Sequence, residues 1–385
     1  MLVGNTFHTT YCTNIHPGQD WETTFFTLKE HLPIVKRKVS PNKPMGVGLR
    51  LSNRASEELG TGQKLAEFHQ WLQANGLYVF TMNGFPYGNF HGERVKDRVH
   101  HPDWTTRERV TYTKRLFDQL AVLLPEGMNG GVSTSPVSYK YWHHGEEGRK
   151  EALKTGAEHM IEIAHHLHRI EQETGKYLHL DVEPEPDGLL ENTHEVLDFF
   201  CAYLNDGGET GMLRHHITLC YDICHFSLAY EEPEYTFVAW ERAGIKVGKI
   251  QVSAALKIVP QRDMDTVWKS LEPFNEPVYL HQVTEKKGDT VKTYNDLPQV
   301  LEAKQDFSEL RAHFHVPIFL EGFGILQSTQ DHIIKTLRYI KEHPVCDHLE
   351  VETYTWDVLP KGLKRDINTS IVRELHWLVQ TMKGQ

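Results

Sequence analysis

The chain is poor in cysteine and has no arrangement that pairs what it has. Its five cysteines (Cys12, Cys201, Cys220, Cys224 and Cys346) are scattered through 385 residues. Only Cys220 and Cys224 lie close together, and no second pair completes a zinc knuckle. This argues against a disulfide framework and for a reducing compartment. Positive charge is short as well: 41 Lys and Arg against 52 Asp and Glu give a formal net charge of −11. That is the wrong sign for a protein that binds a nucleic-acid backbone. The cluster Lys36-Arg37-Lys38 is short and reads as the solvated end of a helix. No apolar run approaches a membrane span, and the opening MLVGNTFHTTYC has no charged segment followed by an apolar one. A soluble cytoplasmic chain without membrane insertion is expected. No G-x-G-x-x-G or phosphate-binding G-x-x-x-x-G-K-[ST] loop follows any strand candidate. No G-x-S-x-G is present either, so a nucleophilic hydrolase fits poorly. No repeat or Pro/Gly-rich linker divides the sequence, and one domain over residues 1–385 is expected.

What is plentiful is histidine, with 25 residues. Several stand in pairs (100–101, 143–144, 165–166, 215–216) that are expected on surface helices or loops. The other regularity is alternation. Short apolar or β-branched runs at 9–15, 45–51, 77–85, 131–135, 177–183, 216–222, 248–256 and 348–356 are each followed by helix-like stretches. Met160, Ile163, Ala164 and Leu167 recur at i, i+3, i+4 and i+7, an apolar stripe suited to packing on a sheet. Asn75-Gly76 and Gly175 stand where helices should stop before the next strand. Asn192 or Thr193 is placed to cap a helix, which makes Glu191 structural. Eight strands alternating with helices predict a parallel sheet with helical crossovers, and closure gives an α/β fold of the (β/α)8 TIM-barrel type. The spacing between the seventh and eighth strands is long. It predicts an insertion at roughly 258–345, including a hairpin over 277–296 that turns at Lys287-Gly288-Asp289 and carrying His281, His313 and His315. A second reading makes one of the runs inside this stretch the seventh strand.

In a barrel, functional groups come from the C-terminal ends of the strands and the loops beyond them. Strand alternation turns His179, Asp181 and Glu183 away from Leu178, Leu180 and Val182. It likewise turns Asp222 inward at the end of the sixth strand, with His225 on the loop beyond, and sets Glu350 and Glu352 opposite Leu349 and Val351. Glu183, Asp222 and Glu352 are thereby predicted at one rim. A divalent cation is one way to hold such like charges together. Ion pairing with Arg50 or nearby lysines is the other. Mixed carboxylate and imidazole donors suit Mn, Mg, Co or Zn. The aromatic, glycine-rich stretch at 80–96 offers Asn83, Tyr87 and His91 as ligand contacts, or else is a turn whose glycines serve its backbone. CTNIHPG offers Asn14 and His16 at the same rim.

The strand-end glutamate of LDVEPEP, the D-x-x-H of YDICH and the V-E-T of LEVETYTW resemble the metal-binding pattern of the xylose isomerase-like barrel superfamily. YDICHFSLAY is similar to a stretch of its endonuclease IV-type branch, and GKIQVSAAL to a strand of its epimerases. The stretches TYCTNIHPG, VGLRLS, GLYVFTMNGFPYG, YLHLDVEPEPDGLLE, YDICHFS, VSAALK, YLHQV, HFHVPIF and VETYTWDVLP together resemble the metabolite-traffic protein EboE family, a member of that superfamily. The resemblance implies a bacterial cytoplasmic protein that handles a small polar, prenylated or glycosylated metabolite alongside other proteins of its gene cluster. It implies metal ligands at Glu183, Asp222, Gln251 and Glu352, with Glu183 and Glu352 as the acid and base. The superfamily pattern has histidine at the position of Gln251, and glutamine is a poor zinc ligand. His281, His313 or His315 is then a candidate replacement. His225 matches a substrate contact of epimerases and a metal ligand of the endonucleases. Three function classes are expected in this order: a metal-dependent isomerase or epimerase, a carrier using the same pocket without turnover, and a phosphodiesterase.

Overall fold

A computed structural model describes residues 1–89, 95–205, 207–288, 290–356, 358–359, 362 and 365–384. Its centre is a parallel barrel of β1 (Phe7–Tyr11), β2 (Met45–Arg50), β3 (Leu77–Asn83), β4 (Gly130–Thr134), β5 (Leu178–Val182), β6 (Ile217–Asp222), β7 (Val247–Val252) and β8 (His348–Val351). The pairing order is β1-β8-β7-β6-β5-β4-β3-β2, with the short strand Leu2–Val3 antiparallel on β1. The seam between β1 and β2 has no continuous ladder. It is crossed by a bridge between Cys12 and Gly48 and by the Thr10 hydroxyl, which donates to the Gly46 carbonyl at 2.9 Å and accepts from the Gly48 amide at 3.0 Å. One side chain thus supplies the bonds that backbone groups make elsewhere in the sheet. The strands lie where the sequence pattern puts them, but all except β6 end sooner. β1 stops at Tyr11, before a 3-10 turn over Thr13–Ile15, and β8 stops at Val351.

The outer helices form for local reasons that the sequence carries. Asp20 caps Trp21–Val39 by accepting from the Thr23 amide at 2.8 Å, and the Lys36-Arg37-Lys38 cluster occupies its last turn, where cations suit the helix dipole. The helix Gly145–Thr174 buries Met160, Ile163, Ala164 and Leu167 and terminates at Gly175, whose φ of +71° needs no Cβ. Asn192 caps Thr193–Tyr203, while Glu191 pairs with Lys140 at 2.8 Å. The histidine pairs depart from expectation in part. His100 and His216 are buried, because each lies on the inward side of its segment.

Between β7 and β8 the chain builds a second, antiparallel sheet. Its order is Thr290–Tyr294, Val283–Lys287, Leu310–Ala312, Leu256–Ile258, Leu326–Ser328 and Gly322–Phe323. The hairpin of its first two strands turns after Lys287, which pairs with Thr290, and Gly288 takes a φ of +59°. The seventh barrel strand is Val247–Val252, seated between β6 and β8, so neither run within the insertion replaces it. Leu256, read from sequence as the end of that strand, instead begins a strand of the second sheet. Among the described residues no helix is long and apolar enough to cross a membrane.

Candidate functional site

The polar residues collect where β-strand alternation aims them. Glu183 follows β5, Asp222 ends β6, and Glu352 follows β8, and all three are buried. One carboxylate oxygen of each lies within 4.8 Å of the others. Glu352 is the best held: Oε1 accepts from Asn14 Nδ2 at 2.7 Å and from Asn83 Nδ2 at 3.0 Å, and Oε2 accepts from Gln251 Nε2 at 2.6 Å. Asp222 Oδ1 accepts from Ser253 Oγ at 2.6 Å and from the His225 amide at 3.2 Å. Glu183 Oε2 and Asp222 Oδ2, by contrast, are buried without a hydrogen-bond partner.

Burial and mutual repulsion both act on these groups. Burial, then the charges of Glu352 and Asp222, pushes the Glu183 carboxyl well above its ordinary value. Burial, then Asp222 and Glu350, raises Glu352 to about 8. Unpartnered carboxylate oxygens in a dry rim are costly unless protonated or matched by a cation. The donor set therefore fits a divalent ion, for which Glu183, Asp222 and Glu352 are the available ligands.

Gln251 behaves differently from the ligand the resemblance implies. Its Nε2 is committed to Glu352, and its Oε1 accepts from the Cys220 thiol at 3.3 Å. It positions Glu352 and turns no free oxygen to the rim. Beneath it, neutralisation of the interior falls to Lys249, fully buried, which donates to Glu350 at 2.7 Å and to Ser133 at 2.9 Å. Arg50, read from sequence as a counter-charge, instead donates to the carbonyls of Gly18, Pro86 and Gly88. Lys249 was legible as a residue on the same strand face as Gln251, two positions away.

The spacing of Asp222 and His225 has a local cause. Asp222 is the N-cap of a short helix, Ile223–Leu228, and its side chain takes the third helical amide, that of His225. His225 is thus on a helix rather than a loop. Its Nδ1 donates to the Pro184 carbonyl at 2.8 Å, and its Nε2 lies 3.2 Å from Nε2 of His313. The insertion brings His313 and His315 to this place directly after Leu310–Ala312. His315 Nδ1 donates to the Glu352 carbonyl at 2.9 Å. Burial first, then neighbouring histidines, lowers His313 well below the usual imidazole range. His315 is lowered to about 4, chiefly by burial.

Four other sequence candidates are placed elsewhere or not described. His281 stands behind His313: Nδ1 donates to the His313 carbonyl at 3.0 Å and Nε2 meets Glu276 at 2.7 Å, so it braces the segment that carries His313. His16 meets the Tyr11 hydroxyl at 2.9 Å and stacks on His31, packed among the outer helices. Tyr87 packs its ring on Tyr112 at 5.0 Å and faces a separate cleft. His91 lies outside the described residues. A cavity of about 60 Å³ opens onto the rim, lined by Asn14, Asn83, Glu183, His225, His313 and Glu352. Glu185, Tyr279 and Tyr354 line it too and were not singled out from sequence. Glu185 was visible as the second glutamate of the E-P-E-P run.

No protein-family profile matches the sequence, and no curated protein matches it. Solved structures do. A xylose isomerase-like TIM barrel protein from Mycobacterium smegmatis in complex with magnesium superposes with a TM-score of 0.52 at 10% identity, covering 100% of this chain and 99% of that one. The IolI protein with a bound zinc atom gives 0.50 at 11%, covering 98% and 99%. A D-tagatose 3-epimerase-like protein gives 0.50 at 11%, covering 98% and 97%. At such identities the likeness speaks for architecture alone: the chain is a TIM barrel similar in fold to these xylose isomerase-like proteins.

Proposed function

We propose that this chain is a divalent-cation-dependent isomerase or epimerase acting on a small polyhydroxylated metabolite. Glu183 and Glu352 are its acid and base, Asp222 is a cation ligand, and His225 lines the substrate cavity. The observation that carries this reading is the convergence of three buried carboxylates, two of them with an oxygen that has no hydrogen-bond partner. A bound cation (Mn, Mg, Co or Zn) would offset their charge and polarise a substrate carbonyl or hydroxyl. The chain does the rest. Asn14, Asn83 and Gln251 fix the direction of the Glu352 carboxylate, and a value near 8 suits a group that exchanges a proton near neutrality. Glu183, with Oε2 unpartnered, is free to take or give a proton on the other side of a bound carbon.

The finer reading follows the sequence resemblance. The protein is an EboE-like metabolite-traffic protein of a bacterial cytoplasm, working beside other proteins of its gene cluster. Residues 1–385 form one domain in which the insertion serves the site. The carrier reading, in which the pocket holds its metabolite without turnover, draws on the commitment of Gln251 to Glu352. The phosphodiesterase reading is disfavoured by the net charge of −11.

Solvent deuterium exchange tests the proposal. Incubation with ketoses and each divalent ion should place deuterium on carbon in the recovered sugar. Glu183→Gln and Glu352→Gln should each slow this by about 10²–10⁴-fold. Binding of a sugar or prenylated metabolite with no exchange under any ion would instead establish the carrier.

A further inference from the structure

The imidazoles of His225 and His313 meet in an arrangement that neutral histidines do not adopt by themselves. His225 Nδ1 faces the Pro184 carbonyl at 2.8 Å, an acceptor only, so this nitrogen carries the proton. His313 Nδ1 faces Gln282 Oε1 at 2.9 Å, and the Gln282 amide is oriented by its own Nε2, which donates to the Pro186 carbonyl at 3.0 Å. His313 is therefore protonated on Nδ1 as well. With Nδ1 of each ring occupied by a carbonyl, the two Nε2 atoms face each other across 3.2 Å. Two lone pairs at that distance repel unless positive charge lies between them. Both rings are buried.

A third donor completes the arrangement. A Glu185 carboxylate oxygen and one nitrogen from each of His225 and His313 all lie within 4.8 Å of one another. For a tetrahedral ion with metal–nitrogen bonds of about 2.0–2.1 Å, the nitrogen–nitrogen edge is about 3.3 Å. The observed separation matches that edge. Two histidines and one carboxylate are a frequent donor set of zinc sites that keep an open position, and carbonyl groups on the far ring nitrogens are the usual support for ligating imidazoles. Glu185, His225 and His313 all line the cavity that reaches Glu183 and Glu352. The prolines of the E-P-E-P run bear on both sides, since the Pro184 carbonyl anchors His225 and the Pro186 carbonyl anchors Gln282.

We propose that Glu185, His225 and His313 form a second cation position, zinc-like in its donors and adjoining the carboxylate position of Glu183, Asp222 and Glu352, whose Asp222 Oδ1 stands 4.0 Å from His225 Nε2. The insertion exists in part to supply its histidine. The inference rests on the proposed function only in granting the three carboxylates a cation of their own.

Metal stoichiometry on the full chain tests it. Zinc titration calorimetry and elemental analysis after desalting should give two equivalents for the wild type. His313→Ala and Glu185→Gln should each give one, and Glu352→Gln should keep the imidazole equivalent. With cobalt(II), tetrahedral d–d absorption should be lost in His313→Ala and kept in Glu352→Gln. His313→Asn and circular dichroism of every variant separate loss of a ligand from loss of the fold. One equivalent in the wild type, unchanged in His313→Ala, would mean that the two rings share a proton and would overturn the second site. So would a cobalt spectrum indifferent to His313. Absence of sugar exchange alone would count against the proposed reaction and leave these stoichiometries standing.

Discussion

Lys249 and Glu350 form a fully buried ion pair beneath the carboxylate rim. Burial alone would lower the lysine, but Glu350 and the nearby acids outweigh it and hold Lys249 above its ordinary value. Replacing such a pair by apolar residues is often tolerated, whereas removing one partner strands the other. Lys249→Met should therefore destabilise the protein by about 3–5 kcal/mol, read from urea unfolding. Lys249→Met combined with Glu350→Leu should recover much of that loss, and no difference between the single and double variants would refute the pairing argument. A second residue-scale consequence concerns pH. Glu352 and Glu374 are both raised to about 8, mainly by burial. A carboxyl raised on folding binds more protons in the native than in the unfolded state between about 4.5 and 8, so stability falls as pH rises through that window. Metal-free protein should lose thermal stability from pH 5 to pH 8, and a divalent ion should flatten the slope. A melting temperature that rises over this range without metal would contradict the assignment.

The elements are joined at one vulnerable place, the seam between β1 and β2. Gly48 lies there because a Cβ would fall on the Glu350 carboxylate and close to the Tyr11 carbonyl. Gly248, on β7, stands in the same relation to Asp181. Gly48→Ala should displace the Glu350 side chain and cost about 1–3 kcal/mol as an overpacking change. Thr10→Val should cost about 1–3 kcal/mol by orphaning the Gly46 and Gly48 backbone groups that its hydroxyl now serves. Thermal denaturation measures both, and wild-type stability in either variant would mean the barrel closes by other contacts. These seam contacts were not readable from sequence, because the closing pair is non-adjacent in the β-ladder order. Strand positions were readable because runs such as β5 and β6 alternate with period two, even though β3 and β7 each interrupt that pattern at a register shift. Most strand ends were not, since polar residues such as those of the turn after Tyr11 continue the same alternation for a few residues, whereas the end of β6 at Asp222 was.

At the scale of the whole molecule, the barrel and the insertion sheet meet over one cavity, so ligands there should stabilise the entire fold. A divalent ion held at a free concentration a hundredfold above its Kd should add about 2.7 kcal/mol. Chelation should lower the melting temperature accordingly, and a melting curve indifferent to chelator would argue that neither cation position is occupied in solution. The sequence determined the barrel and the rim carboxylates. Alternation and strand order are local properties, and they carry Glu183, Asp222 and Glu352 to one end of any barrel built from these strands. The cap that links Asp222 to His225 is equally local, although strand alternation alone puts His225 on a loop. Only the tertiary structure decided the partners: that Gln251 is committed to Glu352, that Arg50 serves loop carbonyls while Lys249 meets Glu350, and that His313 crosses from the insertion to face His225. Those pairings depend on where distant segments pack and on which nitrogen each carbonyl orders, neither of which is encoded in residue spacing.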